Sequence, residues 1–179
     1  KGFAFVEAVR QLRTSLMFTD ASEPKVIMVT SANPRAGKTT LTIALATLYA
    51  SIGKQVLALD GDLRRPRLSS LISKDEGVDL ITLLKEDSAF EPSIAVDPNL
   101  NFDILTFATG DRPTSVDALS TPAFKLLLGK LAEKYDTILI DTPPISIASD
   151  ALVIGAMADT TIFVHRKTRG GLGAVRSAI

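Results

Sequence analysis

The sequence has no cysteine and a single histidine, His165. Disulfides and thiolate metal sites are thereby excluded, and one imidazole cannot build a histidine-rich metal centre. There is no excess charge of either sign: 20 basic side chains face 20 acidic ones, so nothing in the balance argues for a nucleic-acid or polyanionic partner. No apolar run reaches the ~18 residues that a membrane span requires, and no signal-peptide pattern opens the chain. The chain opens on Lys1 rather than Met and stops at Ile179 just after a strand-like run, so a piece of a longer protein is expected, with a membrane segment outside it compatible. What is present, 46% hydrophobic and 22% charged residues in a length of 179, is the composition of one ordinary globular domain with a sizeable core.

Two apolar periodicities alternate along it. Phe5, Val9, Leu12 and Leu16 are spaced four, three and four, which predicts one stripe of an amphipathic helix over 3–18. The β-branched run KVIMVT (25–30) predicts a strand buried on both faces. Further strands are expected at 55–60, 101–110, 136–141 and 160–165. Helices are expected at Thr39–Ser51 (closed by Gly53), 78–85, 114–134 (interrupted or restarted at Pro122) and Asp150–Met157. Strand–helix alternation of this kind predicts a parallel sheet covered by helices.

Between the first of these strands and its helix lies SANPRAGKTT, Ser31 to Thr40. Its end matches a phosphate-binding loop, while Ala32 stands where the strict pattern has glycine. An alanine is compatible there at negative φ. A loop entering a helix N-terminus offers backbone N–H groups and the positive end of the helix dipole to an anion. Gly37 lets backbone approach a phosphate, Lys38 adds a cation, and Thr39 offers a hydroxyl to Mg²⁺. Two other strands end in carboxylates: VLALDGD in Asp60 and Asp62, TILID in Asp141. Residues two apart in extended chain share a side, and open parallel sheets bind ligands beyond their carboxyl ends. Three carboxylates and Thr39 are therefore expected to converge on a hard, oxygen-loving Mg²⁺ that bridges phosphates.

Four stretches together resemble the bacterial tyrosine kinases, the cytoplasmic autokinase domains of polysaccharide co-polymerases. SANPRAGKTT is similar to the family's Walker A, LALDGDLRRPRL to its hydrophobic-D-x-D-x-R motif, and ILIDTPP to its Walker B. Glu7, Arg10 and Arg13 in EAVRQLRTSL, expected at ~100° per residue as a charged stripe away from the apolar one, resemble its oligomerisation motif. The resemblance implies an α/β P-loop NTPase fold, a doubly wound and mostly parallel sheet with helices on both faces. Residues 1–24 would be an oligomerisation helix packed on a kinase domain spanning 25–179, whose C-terminal end and tyrosine tail are missing.

It further implies ATP/ADP and Mg²⁺ as ligands. Asn33, Arg35, Ala36, Gly37, Lys38, Thr39 and Thr40 would contact the nucleotide, and Thr39, Asp62 and Asp141 the metal. Lys38, Asp60, Asp62 and Arg64 would serve phosphoryl transfer, Asp60 as acceptor of the tyrosine proton. The implied partners are other copies of the chain in a ring, a membrane-spanning co-polymerase segment in cis or a separate membrane activator, and an opposing protein-tyrosine phosphatase. The implied location is cytoplasmic, at the inner face of the bacterial plasma membrane, in control of exopolysaccharide or capsule export.

The chain departs from the family at Arg35 and Ala36, where Gly-Glu is usual, and Asp117 matches only loosely. Its two tyrosines, Tyr49 and Tyr135, are expected to be packing residues. The RRPR run, Arg64–Arg67, is expected near the phosphates, and His165 is expected to be structural. An ATPase of the partition/cell-division type is the competing enzyme, but the signature lysine of that type is Asn33 here. A nucleotide-controlled assembly scaffold is the non-enzymatic alternative.

Overall fold

The computed structural model of the chain describes residues 2–18, 23–63, 65–68, 100–105 and 119–166. Arg64, Asp117, the helix expected over 78–85, the strand continuation over 106–110 and the start of the helix expected from 114 lie outside these residues. Along the chain come α1 (Gly2–Met17), β1 (Val26–Ser31), α2 (Lys38–Ser51), β2 (Val56–Asp60), β3 (Asp103–Leu105), α3 (Pro122–Lys134), β4 (Thr137–Asp141), α4 (Asp150–Gly155) and β5 (Thr160–Val164). Pro122 does restart a helix. Thr121 caps α3 by accepting the Phe124 N–H at 3.3 Å, and Pro122 takes the first turn, where its missing donor costs nothing.

The strands form one sheet in the order β3-β2-β4-β1-β5, parallel at every pairing. Period-2 alternation sorts their side chains to two faces. Val26, Met28, Leu57, Leu59, Ile138 and Ile140 pack under α3 and α4 with Phe124, Leu131 and Ile154. Ile27, Val29, Ala58, Ile104 and Leu139 pack under α2 and α1 with Leu45, Tyr49, Val9 and Leu16. A central strand buried on both sides explains why β1, β2 and β4 read as unbroken apolar runs.

The strand order also fixes where a ligand can bind. From β1 the chain crosses by α2 over β4 to β2, whereas from β4 it crosses by α4 over β1 to β5. Connections leaving the carboxyl ends of neighbouring β1 and β4 therefore run to opposite faces of the sheet, which opens a crevice between them.

On α1, Val9 and Leu16 are buried and Leu12 partly so, while Phe5 is 44% exposed rather than part of the buried stripe. Arg13 lies four residues after Val9 and three before Leu16, about one turn from each, so it falls near their face. It is half-buried with its Nε unpartnered among the described residues, whereas Arg10 and Glu7 pair along the helix at 3.7 Å.

Neither tyrosine is available to an external enzyme. Tyr135 donates to Asp103 Oδ2 at 2.7 Å and is buried, and Tyr49 on α2 is 0% exposed. The Tyr49 hydroxyl is buried without a hydrogen-bond partner among the described residues. Burial pushes its pKa up to about 12, with Glu23 adding to the rise and Arg13 opposing it. Tyr49→Phe should leave stability at pH 7 unchanged or raise it by about 1 kcal/mol, because an unmet polar group is removed. A phenol raised from 10.0 to about 12 in the fold contributes stability that is intact below pH 10 and lost as pH rises toward 12. Urea unfolding at pH 7 and above pH 10 should therefore show the Phe variant gaining on the wild type at the alkaline end. Parallel curves at both ends would contradict this account of Tyr49.

Candidate functional site

The crevice between β1 and β4 is a cavity of about 580 Å³, within the range of small-molecule sites. One wall is the loop after β1. Gly37 stands immediately before α2 at φ 102°, a left-handed conformation that glycine adopts without a Cβ penalty. No side chain caps α2, and its first turn holds no acidic residue. Its leading N–H groups and its dipole are thus left to an anion.

The other wall is the end of β4. Thr39, in the first turn of α2, donates its hydroxyl to Asp141 Oδ2 at 2.5 Å. Asp141 is 3% exposed, and its second oxygen, Oδ1, is buried with no hydrogen-bond partner among the described residues. Burial pushes the Asp141 carboxyl up to about 6; Thr39 and Lys38 counter the rise, while the nearby Asp62 adds to it. Burial likewise lowers the Lys38 pKa, against the attraction of Asp141 and Asp62. The Lys38 amine donates to Ser31 Oγ at 3.1 Å, and Ser31 in turn donates to the Asn33 carbonyl at 2.8 Å.

A buried oxygen without a donor among the described residues, one hydroxyl beside it and a second carboxylate on the same cavity suit a divalent cation that prefers oxygen ligands. Thr39, Asp62 and Asp141 all line the cavity and fit that role, two carboxylates and a hydroxyl. Among the described residues no cluster of three His, Cys, Asp or Glu side chains forms a metal cage. The fit is to a cation that keeps waters and phosphate oxygens, as Mg²⁺ does.

Asp60 departs from expectation. It is 1% exposed and does not line the cavity. Its oxygens accept the backbone N–H groups of Asp62 at 3.2 Å and Leu68 at 2.9 Å. In this conformation it holds the loop that carries Asp62, and two carboxylates rather than three reach the cavity. The reason is local: β2 ends at Asp60, so the same-side rule for residues two apart stops applying there. Gly61 then packs closely: a Cβ there would lie 3.1 Å from the Asp141 carbonyl, to which its own N–H donates at 2.8 Å, so a side chain would force its neighbours to give way.

Arg35, Ala36, Gly37, Lys38, Thr39 and Thr40 all line the cavity; Asn33 is exposed and does not. Arg65 and Arg67 line it too, as the RRPR run suggested, while His165 is exposed at the end of β5. Sequence reasoning missed the segment after β4. Thr142 binds the Val29 carbonyl through both its N–H (3.1 Å) and its hydroxyl (3.0 Å). Ile145 N–H donates to Ser31 O at 3.0 Å, and Ser146 Oγ to Ala32 O at 2.5 Å. These bonds fasten the Asp141 strand end to the base of the phosphate loop. A hint was present in Pro143-Pro144, which lack N–H donors and leave their carbonyls to others; Thr30 donates to that of Pro143 at 3.1 Å.

Comparisons with known proteins agree with this geometry. A family profile described as an AAA domain matches residues 24–166. Tyrosine-protein kinase YwqD of Bacillus subtilis is 33% identical over 159 residues, covering 88% of this chain and 67% of the relative. Tyrosine-protein kinase etk of Escherichia coli K12 is 33% identical over 162 residues, 90% of this chain but 22% of the relative. The chain thus spans about a fifth of that longer protein. The solved kinase domain of Escherichia coli ETK superposes with TM-score 0.84 at 31% identity, covering 97% of this chain and 68% of that one. The septum site-determining protein MinD complexed with Mg-ADP, from Pyrococcus horikoshii, gives TM-score 0.69 at 26% identity over 84% of this chain and 61% of that one. With a P-loop NTPase sheet, a phosphate loop facing a strand-end aspartate, and these relatives, the chain is an AAA-domain protein that belongs to the bacterial tyrosine-kinase family.

Proposed function

We propose that the chain is the catalytic part of an ATP-dependent protein-tyrosine autokinase. In this reading it transfers the terminal phosphoryl group of ATP to tyrosines in a C-terminal tail of a neighbouring copy. The observation that carries the reading is the Thr39–Asp141 hydrogen bond, under an uncapped helix N-terminus, with Lys38 on the same cavity and one Asp141 oxygen left without a donor among the described residues.

Phosphoryl transfer needs positioning and charge neutralisation more than covalent chemistry. Backbone N–H groups of Gly37 to Thr40 would cradle the phosphates, and the Lys38 ammonium would neutralise the oxygens between the transferred and leaving groups. Thr39 and Asp141, with Asp62 opposite, would hold Mg²⁺, which when bound neutralises charge on the phosphates. Asp60 enters as a positioning residue for the Asp62 loop. Since both tyrosines of the chain are buried, the acceptor in this reading comes from outside residues 1–179.

In the same proposal α1 forms part of a contact between copies in a ring, close to a membrane-spanning segment in cis or a separate activator. The assembly sits at the cytoplasmic face of the plasma membrane, opposed by a protein-tyrosine phosphatase, and controls exopolysaccharide or capsule export. Support for the contact is the apolar surface that α1 leaves open, with Phe3 at 80% and Val6 at 45% exposure beside the Glu7–Arg10 pair.

The test incubates the full-length protein with Mg-ATP and follows phosphotyrosine, free phosphate and sedimentation together. Phosphotyrosine in an oligomer, with Arg10→Glu giving a smaller particle and less labelling, is the expected result. Free phosphate alone would make the protein an ATPase of the partition type, and bound nucleotide with neither product would make it a scaffold.

A further inference from the structure

Arg35 is the one non-glycine residue with positive φ among the described residues, at 60°. A left-handed conformation costs an ordinary side chain what it does not cost glycine. Strain of this kind persists where the surroundings or a function require it. The Arg35 side chain is exposed, lines the cavity, and has no hydrogen bond or ion pair among the described residues.

We propose that Arg35 reads the terminal phosphate of the bound triphosphate from the same chain, making the loop selective for triphosphate over diphosphate. The proposal rests on the nucleotide reading of the cavity and deepens it. The inner phosphates are served by the α2 N-terminus and Lys38, as in any loop of this kind. Arg35 stands three residues before Lys38, exposed on the cavity wall, where in this proposal the end of the phosphate chain would meet an incoming hydroxyl. A guanidinium suits that place because its planar fork binds two phosphate oxygens at once and remains charged at any physiological pH. Four cationic side chains, Arg35, Lys38, Arg65 and Arg67, line the cavity against two carboxylates, an excess suited to a magnesium triphosphate that keeps net negative charge. Left-handed backbone at both Arg35 and Gly37 also belongs to the kind of turn in which successive N–H groups converge on an anion.

Calorimetric titration with a non-hydrolysable Mg-ATP analogue and with Mg-ADP tests the assignment on wild type, Arg35→Gly and Arg35→Asn, the last chosen because Asn tolerates left-handed backbone. Both variants should bind the triphosphate about tenfold more weakly and the diphosphate less than about twofold more weakly. Without nucleotide, Arg35→Gly should melt a few degrees higher as the left-handed strain is relieved. Equal weakening for the two nucleotides, or none for either, would overturn the assignment. A wild type that binds neither nucleotide would sink the cavity reading itself. A wild type that binds both, with selectivity intact in Arg35→Gly, would sink only the role of Arg35.

Discussion

Lys38→Met is expected to reduce phosphotyrosine formation by the full-length protein by about 10³-fold or more while leaving the fold intact. Removing one preorganised charge from a catalytic site costs about 10²–10³ in rate, and loss of phosphate affinity adds to that. Methionine matches the length and apolar stem of lysine, so the packing of the first turn of α2 survives. The hydrogen bond lost, from the Lys38 amine to Ser31 Oγ at 3.1 Å, leaves Ser31 still donating to the Asn33 carbonyl. A melting temperature within a few degrees of wild type should therefore accompany the loss of labelling. The substitution also removes a nearby cation from Asp141, whose carboxyl Lys38 helps keep ionised. Undiminished phosphotyrosine in this variant would take Lys38 out of the mechanism. Loss of labelling together with a large drop in melting temperature would make it a folding residue instead.

How far the sequence revealed this site depends on the range of each interaction. The strands β1, β2 and β4 were legible because a central parallel strand buries both faces and therefore reads as a continuous apolar run. Gly37 was legible because its role is set by its own backbone. Helix α1 was half legible: the spacing identified Val9, Leu12 and Leu16 but put Phe5 in the same stripe and Arg13 away from it. Arg13 is within a turn of both buried anchors, so the charged stripe and the apolar stripe overlap at that position. Asp60 was misplaced because the alternation rule was carried two residues past the end of a strand, to Asp62, across a turn governed by the close packing of Gly61. The fastening of Thr142, Ile145 and Ser146 to the phosphate loop was hardly legible beyond the hint in Pro143-Pro144. It joins residues more than 110 positions apart through backbone carbonyls, which carry no side-chain signature.

Asp141→Asn should separate what the site contributes to function from what it costs the fold. The carboxylate is buried, one oxygen accepts from Thr39, and the other has no donor among the described residues. Its pKa, raised by burial from 3.8 to about 6, means that holding it ionised at neutral pH opposes folding of the empty protein, by at most about 3 kcal/mol at 1.36 kcal/mol per unit. An amide keeps the shape and can still accept from Thr39 while carrying no charge. The empty variant should therefore melt at the wild-type temperature or a few degrees above it. Nucleotide binding should lose most of its dependence on Mg²⁺, and labelling should fall by about 10²–10³-fold, since metal charge stabilisation contributes several kcal/mol to such transfers. Stabilisation measured by melting with Mg-ADP against ADP alone reads the metal term directly, because a ligand that binds only the folded state raises its stability with the logarithm of one plus its concentration over its dissociation constant. Should Asp141→Asn melt well below wild type yet keep its magnesium response, the aspartate is a structural partner of Thr39 and the metal belongs elsewhere. A stable variant that no longer responds to Mg²⁺ is the outcome expected of a carboxylate kept at a cost to the empty fold because the loaded site needs its charge.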